Sequence, residues 1–294
     1  MLPMSASQQV TIGLAQIAPR LGDVAANLTC HLDYIARARS QGVDLLIFPE
    51  LSLTGYQVKD LVSAVACRPT PDDPIFGPLL AASRDLDLVV GFVEVDERWR
   101  FPNSAAYLSG GRVVHVHRKV YLPTYTLFDE GRYFAPGDTF RAFDTRLGRV
   151  GILICEDFWH MAPPYILWAD GADILLLLSA SPGRGLSRPG RLDSTRFVEL
   201  MNQAYASALT DFVLHCNRVG YEDGINFWGG SHCFGPDGEM IAQAPYFEEA
   251  LVTARLDLAE LRRVRTRLPL LRDERPELTL RELQRIMQRK IQPN

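Results

Sequence analysis

Apolar residues in this chain recur in two patterns, short unbroken runs and helical spacing. VTIGLAQIA (10–18) predicts a strand with mixed alternation. Over 24–40, Leu28, Leu32, Ile35 and Ala36 recur at helical spacing, and Gly42 supplies a stop. VDLLIFPE (43–50), LDLVVGFVEV (86–95), RVGILICED (149–157) and ADILLLLSAS (172–181) are largely apolar, as strands buried on both faces are. Residues 75–85, 163–170 and 191–209 predict helices; DFVLHCNRV (211–219) and LVTARLDL (251–258) predict strands. Two hairpins stand out. SAAYLSGGRVVHVHRK (104–119) turns at Gly110-Gly111, and SHCFGPDGEMIAQA (231–244) turns at Pro-Asp-Gly. Strand–helix alternation predicts an α/β fold, and the hairpins predict mixed sheets. No Pro/Ser-rich linker interrupts the chain, so a single domain is expected over 1–258. An arginine-rich amphipathic arm follows over 259–294, packing on the body or on another copy.

Composition narrows the classes. Hydrophobic residues make up 47% of the 294, enough for a sizeable core. The net charge of −4 argues against broad binding to nucleic acid or anionic membranes. No apolar run approaches the roughly 20 residues of a membrane span, and MLPMSASQQV lacks the basic-then-apolar order of a signal peptide. Five dispersed cysteines with no CxxC or Cys/His spacing predict reduced thiols in the cytoplasm and no bound metal. Of 31 basic residues only Lys59, Lys119 and Lys290 are lysine. A lysine in a distinctive context is therefore expected to serve as a compact ammonium, not merely as charge.

Three apolar runs break into polar chemistry. LLIFPE ends at Glu50, HVHRKVYLP presents Lys119 past a hairpin strand, and GILICED ends at Cys155. Sites in layered α/β proteins gather beyond the carboxyl ends of strands. Singly, each has a bland reading: a helix start for Glu50, a surface charge for Lys119, a small core residue for Cys155. Together they make a chemical set. A carboxylate takes the thiol proton, the thiolate attacks an acyl or nitrile carbon, and an ammonium stabilises the oxyanion. GxGxxG, GxxxxGK[ST] and GxSxG are all missing, so nucleotide-binding and serine-hydrolase readings lack a motif. His160, His215 and His232 are alternative partners for a thiol but lie in no telling local context.

On FPELSLTGY (48–56), HRKVYLPTYTLFDEGRYFAPGD (117–138) and GILICEDFW (151–159), the chain resembles the nitrilase, or carbon–nitrogen hydrolase, superfamily. The LPTY…FDEGRYF string resembles the glutamine-amidase domain branch of glutamine-dependent NAD synthetases most closely. The likeness runs from AQIAPRLGDVAAN (15–27) to LPLLRDERPEL (268–278). It implies a nitrilase-type α-β-β-α sandwich, with four layers once two subunits pair. It implies Glu50 as general base, Cys155 as nucleophile, and Lys119 with the N–H after Cys155 as the oxyanion site. Glu130 matches a second glutamate that positions Lys119 and the amide. Tyr125, Glu156, Phe158 and Ser181 match the lining of the substrate pocket.

After Ser181 the chain reads PGRGLSRPGRL, where that branch has an aromatic and a basic Gly-Lys stretch. Arg184, Arg188 or Arg191 is left to hold a substrate carboxylate. No Ser-Gly-Gly-x-Asp loop is present, so NAD synthesis by this chain alone is not expected. The leading expectation is a cofactor-independent amidohydrolase of glutamine or a glutamine-like ω-amide, working through a thioester in a homo-oligomer. A nitrilase or N-carbamoyl hydrolase is the alternative enzyme. An ammonia-supplying or regulatory subunit of a separate synthetase is the alternative of another class.

Overall fold

A computed structural model describes residues 9–185 and 192–291. Two six-stranded sheets stack face to face. The first holds β1 (Gln9–Gln16), β2 (Leu45–Ile47), β3 (Asp87–Val93), β4 (Asn103–Ser109), β5 (Arg112–Arg118) and β14 (Ala250–Asp257), in the order β14-β1-β2-β3-β4-β5. The second holds β6 (Phe143–Thr145), β7 (Gly148–Ile154), β8 (Ile174–Ser179), β9 (Phe212–Asn217), β12 (His232–Phe234) and β13 (Met240–Gln243), in the order β13-β12-β9-β8-β7-β6. β10 (Val219–Glu222) and β11 (Ile225–Trp228) form a separate hairpin. β1–β2–β3 and β7–β8–β9 run parallel, while the expected hairpins β4–β5 and β12–β13 are antiparallel, so both sheets are mixed.

The unbroken apolar runs follow from this stacking. Ile12, Leu14, Ile47 and Val89 of the first sheet meet Ile152, Ile174, Leu176 and Leu214 of the second. The opposite face of the first sheet is covered by α1 (Val24–Ser40) and α3 (Phe76–Ala82), through Ile35, Ala38, Phe76 and Leu79. That of the second is covered by α5 (Ala162–Ala169) and α6 (Asp193–Leu209), through Leu167, Val198 and Tyr205. All four layers therefore form within one chain. This corrects the expectation that two subunits must pair to complete them: each sheet's second face is already buried by its own helices.

Local chemistry sets the boundaries. The Asp23 side chain accepts from Ala26 N at 3.0 Å and caps α1, and Gly42, at φ +66°, follows its end. The run 43–50 pairs only over Leu45–Ile47; Pro49, lacking an N–H, cannot extend a ladder. Short helices α2 (Val62–Val65) and α4 (Glu130–Tyr133) lie in the long connections. The C-terminal arm forms α7 (Ala259–Arg267), α8 (Leu270–Asp273) and α9 (Pro276–Ile291). Arg265 of α7 reaches Asp173 at 2.7 Å and Asp211 at 2.6 Å, and the Tyr165 hydroxyl of α5 donates to Glu274 at 2.9 Å. Among the described residues no helix is long and apolar enough to cross a membrane.

Candidate active site

Glu50, Lys119 and Cys155 converge where the two sheets open. Glu50 sits in the turn after β2, buried against β3. Gly91 of β3 makes room for that turn: a Cβ there would lie 2.4 Å from Pro49 O and 2.6 Å from Leu51 N. Lys119 directly follows β5 at the edge of the first sheet. Cys155 directly follows β7 of the second and opens a 3₁₀ turn over Cys155–Trp159, at φ +45°. Left-handed backbone at a non-glycine residue costs energy and is retained where the surroundings enforce it.

The ammonium of Lys119 donates to Glu50 Oε1 at 2.8 Å and to Glu130 Oε1 at 2.7 Å. Glu50 Oε1 also accepts from Asn103 Nδ2 at 2.8 Å, and its Oε2 accepts from Ala180 N at 2.8 Å. Glu130 Oε1 accepts from the Tyr56 hydroxyl at 2.5 Å, while its buried Oε2 has no partner among the described residues. Burial pushes Glu130 up to about 7, helped by Glu50 and opposed by Lys119. Burial works against the Lys119 ammonium, yet Glu130 and Glu50 outweigh it and hold the amine well above its ordinary value. Burial and Glu50 raise the Cys155 thiol well above its usual range, and Lys119 opposes them. The resting thiol is thus protonated, with a carboxylate and an ammonium around it. That set can remove the proton and stabilise negative charge on an attacked carbonyl.

A cavity of about 110 Å³ opens onto Cys155, lined by Tyr125, Phe128, Glu156, Trp159, Ser181 and Arg184. Tyr125, 46% exposed, donates its hydroxyl to the Glu156 carboxylate at 2.9 and 3.0 Å. Arg184 stacks 4.5 Å over the Phe128 ring. Its buried Nε and Nη2 have no hydrogen-bond partner among the described residues.

Of the residues expected in the pocket, Tyr125, Glu156 and Ser181 line this cavity, whereas Phe158 does not. Phe158 is 1% exposed in the core beneath α5 and α6. In a 3₁₀ turn, side chains three apart eclipse, so Glu156 and Trp159 share the face toward the cavity while Phe158 turns inward. Asp157, next to Glu156 in the sequence, is buried away from the cavity and accepts from backbone N–H groups and from His117. Arg184 is described; Arg188 and Arg191 lie outside the described residues. His215 and His232 are held neutral by burial and do not line the cavity. His160 stacks on Tyr121 and sits 3.7 Å from Glu156. Among the described residues no group of His, Cys, Asp and Glu is placed to hold a metal ion.

The sequence reading missed Tyr56, Asn103 and the Ala180 N–H. Tyr56 closes the FPELSLTGY string, so a local signal for it was present. Asn103 and Ala180 meet Glu50 from 53 and 130 residues away, with no local pattern to mark them.

The chain is similar to several known proteins. The chain is 34% identical over 253 residues to a glutamine-dependent NAD(+) synthetase of Acinetobacter baylyi, covering 85% of this chain and 45% of that protein. The chain thus spans under half the length of such relatives. An N-carbamoylputrescine amidase of Solanum lycopersicum is 28% identical over 283 residues, covering 92% of this chain and 93% of that one. Among solved structures, the E41Q mutant of an amidase from Nesterenkonia sp. AN1, with acrylamide added at its active-site cysteine, superposes with a TM-score of 0.76. It is 25% identical, covering 92% of this chain and 99% of that one. The carbon-nitrogen hydrolase family profile matches residues 11–266, and the chain belongs to that family.

Proposed function

We propose that this chain hydrolyses a small carboxamide to a carboxylate and ammonia, and that its substrate is glutamine or a glutamine-like ω-amide. Glu50 takes the Cys155 proton, and the thiolate attacks the amide carbon. Two of the three Lys119 protons are committed to Glu50 and Glu130, leaving one for the developing oxyanion beside the N–H of Glu156. The C–N bond breaks as Glu50 returns its proton to the departing nitrogen, and ammonia leaves. Water, deprotonated by Glu50, then attacks the thioester; the acid forms and the thiol recovers its proton. Glu130 holds the ammonium in place from the side opposite Glu50.

The observation that carries the substrate class is the charge layout of the cavity. One carboxylate, Glu156, and one guanidinium with no hydrogen-bond partner at Nε and Nη2 among the described residues, Arg184, line the same space as Cys155. That layout suits a zwitterion: the α-ammonium at Glu156, displacing the Tyr125 hydroxyl, and the α-carboxylate at Arg184. Guanidinium–carboxylate pairing is bidentate and strong. A second reading, an N-carbamoyl amide, is supported by the near-complete mutual coverage with the N-carbamoylputrescine amidase. Ammonia release from glutamine, a simple aliphatic amide, a nitrile and an N-carbamoyl amine, assayed side by side, separates them. Glutamine fastest supports the proposal; an N-carbamoyl compound or nitrile outrunning it overturns the glutaminase reading and leaves the thiol hydrolase standing.

A further inference from the structure

Lys119 and Cys155 reach the site from different sheets, Lys119 at the end of β5 and Cys155 at the end of β7. The apolar layer between the sheets sets their spacing, but hydrophobic contact is non-directional and tolerates small slides. Something directional must fix the two ends against each other. Asp157 is 0% exposed, and its carboxylate spans the gap. Oδ1 accepts from Val120 N and Tyr121 N, both at 3.0 Å. Oδ2 accepts from His117 Nε2 at 2.9 Å and from Ile154 N at 3.1 Å. One side chain therefore grips the chain on both sides of Lys119 and the residue just before Cys155.

We propose that Asp157 is a positioning residue that sets the Lys119 ammonium against the Cys155 thiol by tying the two sheets together at the mouth of the site. The inference rests on the amide-hydrolase reading for its kinetic consequences. All four partners are donors, with the His117 proton on Nε2. An ionised carboxylate is acceptor-only and offers about four lone-pair sites, so the match is complete. An amide at the same place turns two N–H donors toward donors and loses part of the grip. His117 is itself buried beside the Phe140 ring, which keeps its ring directed at the carboxylate.

Asp157→Asn and Lys119→Arg, singly and combined, test this. Asp157→Asn is expected to lower kcat by about 100-fold, the scale of a misplaced reacting group, while KM for the amide stays within about threefold. Because Asp157 acts through Lys119, the double variant should be little worse than Lys119→Arg alone. A second readout needs no substrate. Lys119 lowers the Cys155 pKa, so displacing it should slow iodoacetamide labelling of Cys155 by about 10-fold. If Asp157→Asn fails to fold, His117→Phe and His117→Gln take its place. The phenylalanine variant removes the donor and should slow both turnover and labelling; the glutamine variant restores a donor and should recover most of each. Turnover and labelling within twofold of wild type, or losses that multiply in the double variant, or equal behaviour of His117→Phe and His117→Gln would overturn the proposal. A wild-type protein that hydrolyses no amide would instead sink the amide-hydrolase reading, with the labelling arm still judging Asp157.

Discussion

Cys155 is 6% exposed and opens the 3₁₀ turn, with its thiol against Glu50 and Lys119 rather than out in a wide cleft. Cys155→Ala should abolish ammonia release and cost only about 1 kcal/mol of stability, since one small buried atom is removed. Iodoacetamide should label Cys155 ahead of Cys30 despite the greater exposure of Cys30, because the Glu50 carboxylate is placed to take the Cys155 proton and Lys119 to hold the thiolate, whereas Cys30 has no such base paired with a buried ammonium. Peptide mapping that finds Cys30 labelled first, with activity untouched, would remove Cys155 from its role. Arg184→Ala should raise KM for glutamine by about 10- to 100-fold with kcat little changed, the scale of a charge-assisted hydrogen bond worth about 1.5–3 kcal/mol. An unchanged KM would place the substrate carboxylate elsewhere. At this scale the sequence was readable where polar chemistry broke an apolar run, as at Glu50, Lys119 and Cys155. It was not readable where the facing of a side chain depended on the turn type, which exchanged Phe158 for Trp159 at the cavity.

The elements around the site hold their loops with buried charge. Glu222 of the β10–β11 hairpin accepts from Tyr56 N at 2.8 Å and Gln57 N at 2.5 Å, and pairs with buried Arg218 at 2.6 Å. The hairpin thus braces the loop that carries Tyr56 to Glu130. Glu222→Gln leaves the Arg218 guanidinium buried without its countercharge, which costs about 3–5 kcal/mol. Urea unfolding should show that loss; a change under 1 kcal/mol would mean the hairpin does not brace the loop. Glu130 gives a pH test. Its carboxyl is raised from 4.5 to about 7, so the folded state holds the proton more tightly than the unfolded chain. The stability it contributes is present below 4.5 and is lost as pH rises through about 7. Subtracting the Tm–pH curve of Glu130→Gln from that of wild type should leave a difference that falls across this window. A flat difference would contradict the raised value. Hairpins and parallel strands were legible because their turns and apolar runs are local. Strand ends were overextended because Pro49 and the turn at Cys155 stop pairing while the apolar run continues.

The molecule as a whole is a two-sheet sandwich whose central layer leaves an opening at one end, where both sheets deliver their polar residues. Fold class followed from the strand–helix order, and mixed sheets from the two hairpins. The completion of four layers in one chain did not, because periodicity says that a strand is buried on both faces but not which element buries each. Likewise the Glu50 partners Asn103, which opens β4, and Ala180, just past the end of β8, are distant in the chain and needed the fold to be seen. In the proposed reaction Cys155 attacks an amide and carries its acyl group. The direct measurement is ammonia release from L-glutamine by wild type and Cys155→Ala, with acid-quenched samples examined by intact-protein and peptide mass spectrometry. Wild type alone should release ammonia, with a γ-glutamyl group trapped on the Cys155 peptide. Ammonia released equally by Cys155→Ala, or an acyl group found on another residue, would contradict it.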